Sequence, residues 1–188
     1  MKASSPGSHA GTVRVVYSAR MPGRDRTLRA VLGAAVLLAA MGALAASDDG
    51  EPAPRFRAKT LRGETFTNDS VKGKVVLLQF WTTWCPYCRG EQSLVDDLER
   101  EFAGKGLVVL AIDVGESKKT VRKYLAEHPR VCRIVLNEDT NLAAMYAAKT
   151  FPIYVVIDRD GDIAGTQHGA GGERSLRRLL RRAGLESE

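Results

Sequence analysis

Lys74-Val75-Val76-Leu77-Leu78-Gln79-Phe80-Trp81-Thr82-Thr83-Trp84-Cys85-Pro86-Tyr87-Cys88 decides how this chain is read. Its first half, to Trp81, is an apolar run of strand length, rich in Val and aromatic residues. Beyond the cysteines, Leu94, Val95, Leu98 and Phe102 recur at helical spacing, so a helix is expected over 86–103. The cysteine pair therefore sits where a buried strand hands over to a helix. A cysteine at a helix N-terminus faces unpaired N–H groups and the positive end of the helix dipole. Both favour the thiolate, which is the nucleophile in disulfide exchange. Cys85, in the first and more exposed position, is the expected attacking sulfur, and Cys88, about one turn deeper, the resolving one. Pro86 supports the arrangement, because its missing N–H costs little in the first helical turn. The competing reading is half a zinc site, but structural zinc asks for four ligands. Only Cys132, His9, His128 and His168 remain, none at paired spacing. No metal and no separate cofactor is expected, only a redox-active Cys85–Cys88 disulfide.

The chain of 188 residues is not one compositional piece. Residues 1–29 are basic and rich in Gly, Ser and Arg, and Ala30 to Ala46 runs seventeen residues without a charge, ending Ala43-Leu44-Ala45-Ala46-Ser47. A charged start, an apolar stretch and small residues at its exit describe a secretory signal peptide. An uncleaved anchor is the alternative, since the run reaches the short edge of membrane-spanning length. Met21-Pro22-Gly23-Arg24-Asp25-Arg26 is a more usual opening, so residues 1–20 read as an over-long start. No cysteine follows the small residues, which argues against lipid anchoring by that route. The expected organisation is a signal peptide or anchor over 1–46, a linker over 47–54 and one domain over 55–184. That places the protein in a bacterial periplasm or on the outer face of the cytoplasmic membrane, touching the membrane only through the leader if it is retained.

The leader also accounts for the basicity. Residues 1–46 hold six of the 28 Lys and Arg and one of the 22 Asp and Glu, leaving 22 basic against 21 acidic side chains. Nucleic acid is therefore not an expected partner. The Arg-rich end from Arg174 to Arg182 carries Leu176, Leu179 and Leu180 at i, i+3 and i+4, which is an amphipathic helix with a solvated basic face. It has no interleaved aromatics on which bases could stack.

Along the rest of the chain, 56–61 and 64–67 read as a hairpin around Arg62-Gly63. Leu107–Val114 is a second apolar strand, and Ser117 caps a helix running to His128, stopped by Pro129. A short strand over 131–136, a short helix over 142–148 and a strand over 153–157 follow. Asp158-Arg159-Asp160-Gly161 turns the chain into a hairpin partner over 162–167, a loop spans 169–172, and the Arg-rich helix ends the domain. Alternating strands and helices imply parallel pairing, with an antiparallel edge from the last hairpin. About 130 residues suffice for one core.

This order, with Phe80-Trp81-Thr82-Thr83-Trp84-Cys85-Pro86-Tyr87-Cys88 after the first buried strand, resembles the thioredoxin superfamily, and more narrowly its TlpA/ResA-type exported thiol–disulfide oxidoreductases. The resemblance covers about 52–184. It implies an α/β thioredoxin-like fold, a central mixed sheet flanked by helices, with an added N-terminal β-hairpin. It implies protein thiol and disulfide substrates, a membrane-embedded electron donor, a monomer, and a reductase role such as cytochrome c maturation. Phe151-Pro152 is similar to the family's second hallmark, a proline with a cis preceding bond beside the disulfide. Phe151 and Pro152, with Tyr87, would then position the substrate. An acidic residue three positions after the second cysteine is Glu91 here.

Three departures matter. Thioredoxins carry a buried Asp two residues before the first Trp, and Gln79 stands there, which cannot titrate. The proton relay is therefore expected at Glu91, one helical step from Cys88, where partial burial would raise its pKa. Ser93 replaces a proline frequent in the family, so the helix is expected to be less kinked. The Pro86-Tyr87 dipeptide is glutaredoxin-like, although the Trp84 flank and the leader are not. Trp81 is expected in the core and Trp84 on an exposed contact rim beside Cys85. Cys132 lies in an apolar strand pattern and reads as a buried, unreactive thiol, and His128 as a surface residue at a helix end.

The competing functions are a disulfide-forming oxidase, a thiol peroxidase and a copper-delivery module. Thr82-x-x-Cys85 matches part of the peroxidase motif, but Leu78 stands in place of its proline. The related copper proteins separate their cysteines by three residues rather than two.

Overall fold

The computed structural model describes residues 50–186. The expected leader over 1–46 and the first residues of the expected linker lie outside them. Strands β1 (Arg57–Lys59) and β2 (Thr65–Thr67) form the N-terminal antiparallel hairpin. A five-stranded mixed sheet follows, built from β3 (Val75–Trp81), β4 (Leu107–Asp113), β5 (Arg133–Leu136), β6 (Ile153–Ile157) and β7 (Ile163–His168) in the order β5-β4-β3-β6-β7. The helices are α1 (Pro86–Gly90), α2 (Gln92–Phe102), α3 (Lys118–Glu127), α4 (Leu142–Met145) and α5 (Gly172–Arg182). This is the α/β thioredoxin-like fold with its N-terminal hairpin.

The crossovers through α1–α2 and through α3 make the β3–β4 and β4–β5 pairs parallel. Two junctions rather than one are antiparallel, because β6 returns against β3 before the hairpin adds β7. Every residue of β3 and β4 is buried, as expected for central strands covered on both faces. Alternation splits their side chains between two cores. Val75, Leu77 and Trp81 face α2 and α5 through Leu98, Phe102, Leu176 and Leu180, while Val76, Leu78 and Phe80 pack with Phe56, Leu142 and Val155. Helix α5 comes close over β7 at Gly165, where an added Cβ would lie 2.8 Å from Leu179 Cδ2.

The segment read as a linker behaves otherwise over residues 51–54. The Ala53 N–H donates to the Gly161 carbonyl at 2.9 Å and the Ile163 N–H to the Glu51 carbonyl at 2.8 Å. The Gly161 carbonyl in the β6–β7 turn and the Ile163 N–H at the start of edge strand β7 draw this stretch onto the sheet. Two helices are shorter than the periodicity suggests. The one expected over 142–148 ends at Met145, followed by Ala147 with φ of 47°. The one expected over 86–103 breaks at Glu91, which has φ −105° and ψ 4°. Ser93 in place of a proline does not keep it straight. The Glu91 N–H bonds back three residues to the Cys88 carbonyl at 3.2 Å, tightening the last turn of α1, while its side chain turns inward. Among the described residues no helix is long and apolar enough to cross a membrane.

Candidate active site

The C-terminal end of β3 delivers Thr82, Thr83 and Trp84 into a tight turn before α1. Glu116, in the loop after β4, holds this turn: its carboxylate accepts the Thr83 N–H at 2.5 Å and the Thr83 hydroxyl at 2.7 Å. Asp113, the last residue of β4, is fully buried one loop away and accepts the Glu116 N–H at 3.2 Å. Burial first, and then the adjacent Glu116 carboxyl, push the Asp113 carboxyl up to about 8.

Cys85 is the N-cap of α1, with extended backbone (φ −74°, ψ 115°), and its sulfur accepts the Cys88 N–H at 3.3 Å. Pro86 takes the first helical position. Both cysteines, like Cys132, are free thiols. Cys85 is the more exposed of the pair by a narrow margin, 3% against 0% for Cys88, so both are buried. The Phe151–Pro152 bond is cis, and the Phe151 carbonyl lies against the sulfur, accepting the Cys85 thiol at 3.6 Å. What is exposed instead is the rim. Trp84 is 64% and Tyr87 68% exposed, and Trp84 meets the Phe151 ring edge-on at 6.1 Å between centroids. Trp81, by contrast, is fully buried.

Cys88 is buried, and its thiol is pushed well above the usual cysteine range. Desolvation is the main cause, followed by its hydrogen bond with Cys85, and the Glu91 charge acts in the same direction. A thiol in this position keeps its proton until a neighbour takes it. Glu91 is 7% exposed, and its two oxygens are engaged from distant parts of the chain. Oε2 accepts the Tyr154 hydroxyl at 2.7 Å, and Oε1 accepts the Gly172 N–H at 2.6 Å. Gly172 has φ of +70°, the left-handed backbone that glycine adopts without steric cost, and this presents its N–H.

Behind Glu91 lies a polar group that the motif reading missed. Gln79 and Tyr154 are register partners in the β3–β6 pair, and the Gln79 Nε2 donates to the Tyr154 hydroxyl at 3.4 Å. Arg130 donates to the Gln79 Oε1 at 3.3 Å and grips both Asp96 oxygens at 3.0 Å, with the Trp81 ring 5.7 Å away. A signal was present: Gln79 and Tyr154 are polar positions in otherwise apolar buried strands, and buried polar groups need partners. Nothing in the local sequence names Arg130 or Asp96 as those partners. Cys132 stands apart from the pair, buried, with its thiol pushed up to about 12 chiefly by desolvation. His128 caps the C-terminus of α3 with its ring tilted against Tyr124, 4.5 Å between centroids, and His168 ends β7. Among the described residues no group of His, Cys, Asp or Glu is arranged to hold a metal ion.

Residues 50–166 match the AhpC/TSA family. The chain is 32% identical over 135 residues to the thioredoxin-like protein YneN of Bacillus subtilis, a match covering 70% of this chain and 78% of that protein. It is 28% identical over 114 residues to the thiol-disulfide oxidoreductase ResA of Bacillus cereus, covering 61% of this chain and 66% of that one. Among solved structures it is similar to a thiol:disulfide interchange protein of the thioredoxin family from Chlorobium tepidum, with a TM-score of 0.64, 26% identity, and coverage of 73% of this chain and 99% of that one.

Proposed function

Because the chain belongs to the AhpC/TSA family and is a thiol–disulfide oxidoreductase of the ResA type, we propose that it is an exported reductase of protein disulfides, with Cys85 as nucleophile and Cys88 as resolving cysteine. One observation carries the reading. The Cys85 sulfur caps α1 on the Cys88 N–H, beside the Phe151 carbonyl and under an exposed aromatic rim. A partner's extended segment laid along Phe151 and Pro152 would bring its disulfide to that sulfur, with Trp84 and Tyr87 supplying contact area.

The Cys85 thiolate attacks one sulfur of the substrate disulfide, forming a mixed disulfide and expelling a substrate thiolate, which takes up a proton. Cys88 then loses its proton to the Glu91 carboxylate and attacks the Cys85 sulfur. The second substrate thiolate leaves and the Cys85–Cys88 disulfide forms. The enzyme dithiol is oxidised and the substrate disulfide is reduced. A membrane-embedded dithiol donor would restore the starting state, since the compartment itself drives thiols towards disulfide. The apolar run from Ala30 to Ala46 supports export, and the likeness to the exported TlpA/ResA-type proteins supports the reductase direction and a role like cytochrome c maturation.

The test is reduction of insulin disulfides by the purified dithiol protein, with Cys85→Ala as control, followed by the pair's potential in a glutathione buffer. A potential near about −270 mV agrees with the reading, and one near about −120 mV makes the protein an oxidant instead. Activity no greater than that of Cys85→Ala overturns the exchange role.

A further inference from the structure

The buried polar group behind Glu91 has a direction. Arg130 carries only donors, so the Gln79 atom facing it at 3.3 Å is the amide oxygen. That settles the side-chain amide, whose two ends would otherwise be interchangeable, and turns its NH2 towards the Tyr154 oxygen at 3.4 Å. The Tyr154 oxygen is thereby an acceptor from Gln79. Its single hydrogen goes to the remaining neighbour, Glu91 Oε2, at 2.7 Å. Arg130 is itself held by its Nε–H, which is shared between both Asp96 oxygens, so it cannot turn away without stranding a buried carboxylate.

We propose that Arg130, Gln79 and Tyr154 are positioning residues of the exchange reaction: together they polarise one hydrogen-bond chain so that the Tyr154 hydroxyl donates to Glu91 and holds its carboxylate as the acceptor for the Cys88 proton. This rests on the proton-acceptor role given to Glu91 above. The device has a neutral amide at position 79 that orients a tyrosine, and it places the proton acceptor at Glu91, between α1 and α2. The proton moves from the Cys88 sulfur to a Glu91 oxygen, and neither Tyr154 nor Gln79 gains or loses one. The titratable and charged groups around the step are Cys85 at the N-cap of α1, Cys88 within it, Glu91 between α1 and α2, Tyr154 on β6, and the Arg130–Asp96 pair.

The experiment uses the full-length dithiol protein and a disulfide-bonded peptide in stopped flow. Formation of the mixed disulfide (isolated in Cys88→Ser) is read separately from its resolution, between pH 6 and 10. Variants are Glu91→Gln, Tyr154→Phe, Gln79→Leu and the Glu91→Gln/Tyr154→Phe double. Tyr154→Phe keeps the ring and deletes only the donor, and Gln79→Leu reaches the same chain from its far side should the phenylalanine variant not fold. The proposal expects Tyr154→Phe to slow resolution about tenfold at pH 7, because the Glu91 carboxylate loses the contact that holds it in place, and to leave mixed-disulfide formation unchanged. The deficit narrows towards pH 10, where hydroxide can take the Cys88 proton, and the double variant is no slower than Glu91→Gln alone. Slow resolution in Glu91→Gln with wild-type resolution in Tyr154→Phe and Gln79→Leu overturns the positioning role and leaves the Glu91 role standing. Wild-type resolution in Glu91→Gln overturns the Glu91 role itself. Equal slowing of both steps at every pH in Tyr154→Phe also overturns the proposal, because that marks a general packing defect.

Discussion

The substitution Asp113→Asn should change how the protein's stability depends on pH. The Asp113 carboxyl is fully buried at the end of β4, and Oδ2 finds no hydrogen-bond donor there. Oδ1 accepts the Glu116 N–H, and the Glu116 carboxyl is the neighbouring acid. A proton on Asp113 removes the buried charge and supplies a donor towards Glu116, so the folded state holds it up to a pKa of about 8, against 3.8 for the free group. The sign follows from which state binds the proton. Below pH 3.8 both folded and unfolded chains carry it and the full stability is present. From there to about pH 8 the unfolded chain has lost it and the folded chain has not, so stability falls as pH rises. At about 1.36 kcal/mol per pH unit the fall across this window is on the order of 6 kcal/mol. An asparagine side chain keeps the shape and a donor and titrates nowhere. Urea unfolding at pH 5, 7 and 9 is the assay. The variant should already be more stable than the wild type by about 1.6 kcal/mol at pH 5 and by about 4 kcal/mol at pH 7, and the gap should level off above about pH 8. Glu99, whose carboxyl burial also pushes up, titrates alike in both proteins, so the difference between them isolates Asp113. Parallel pH curves for the two proteins, or a gap that narrows as pH rises, would mean that Asp113 does not hold this proton in the folded state.

Three further outcomes are expected. Trp84→Ala and Tyr87→Ala, on the exposed rim, should change unfolding free energy by less than about 0.5 kcal/mol, yet raise KM for a protein disulfide and leave the rate with a small aromatic disulfide unaltered. Arg130→Ala strands the buried Asp96 carboxylate that it grips at 3.0 Å and should cost about 3–5 kcal/mol in urea unfolding. In a Cys85→Ser/Cys88→Ser background, native Cys132 should resist iodoacetamide at pH 8, because it is buried with its thiol pushed up to about 12, and should label fully in urea, as intact-mass measurement would show.

The parts legible in the sequence are those where a local pattern and the tertiary outcome agree. Apolar runs at 75–81 and 107–113 are central strands because nothing but burial suits them, and Trp84-Cys85-Pro86-Tyr87-Cys88 carries its strand-to-helix placement in its own flanks. The misread parts are set by contacts remote in sequence. Glu91 breaks a helix whose periodicity runs straight through it, and its carboxylate is engaged by Tyr154 and Gly172, 63 and 81 positions away. Cys85 is barely more exposed than Cys88, with the Phe151 carbonyl, 66 positions on, lying against it. Residues 51–54 look like a linker by composition, yet the edge of β7 offers them hydrogen bonds. Gln79 illustrates the limit most clearly. Its inability to titrate is readable, whereas its orientation is a property of Arg130, which only the folded chain brings to it.

At the heart of the proposed exchange, Cys85 makes the covalent bond to substrate and Cys88 breaks it. Incubating the Cys88→Ser protein with a disulfide-bonded peptide, and locating the adduct by peptide mapping, probes this division of labour without intermediaries. One peptide per chain is expected, on Cys85, persisting until a thiol is added, and none on the Cys85→Ser protein. An adduct carried by Cys132, or one formed equally fast on Cys88 in the Cys85→Ser protein, would contradict it.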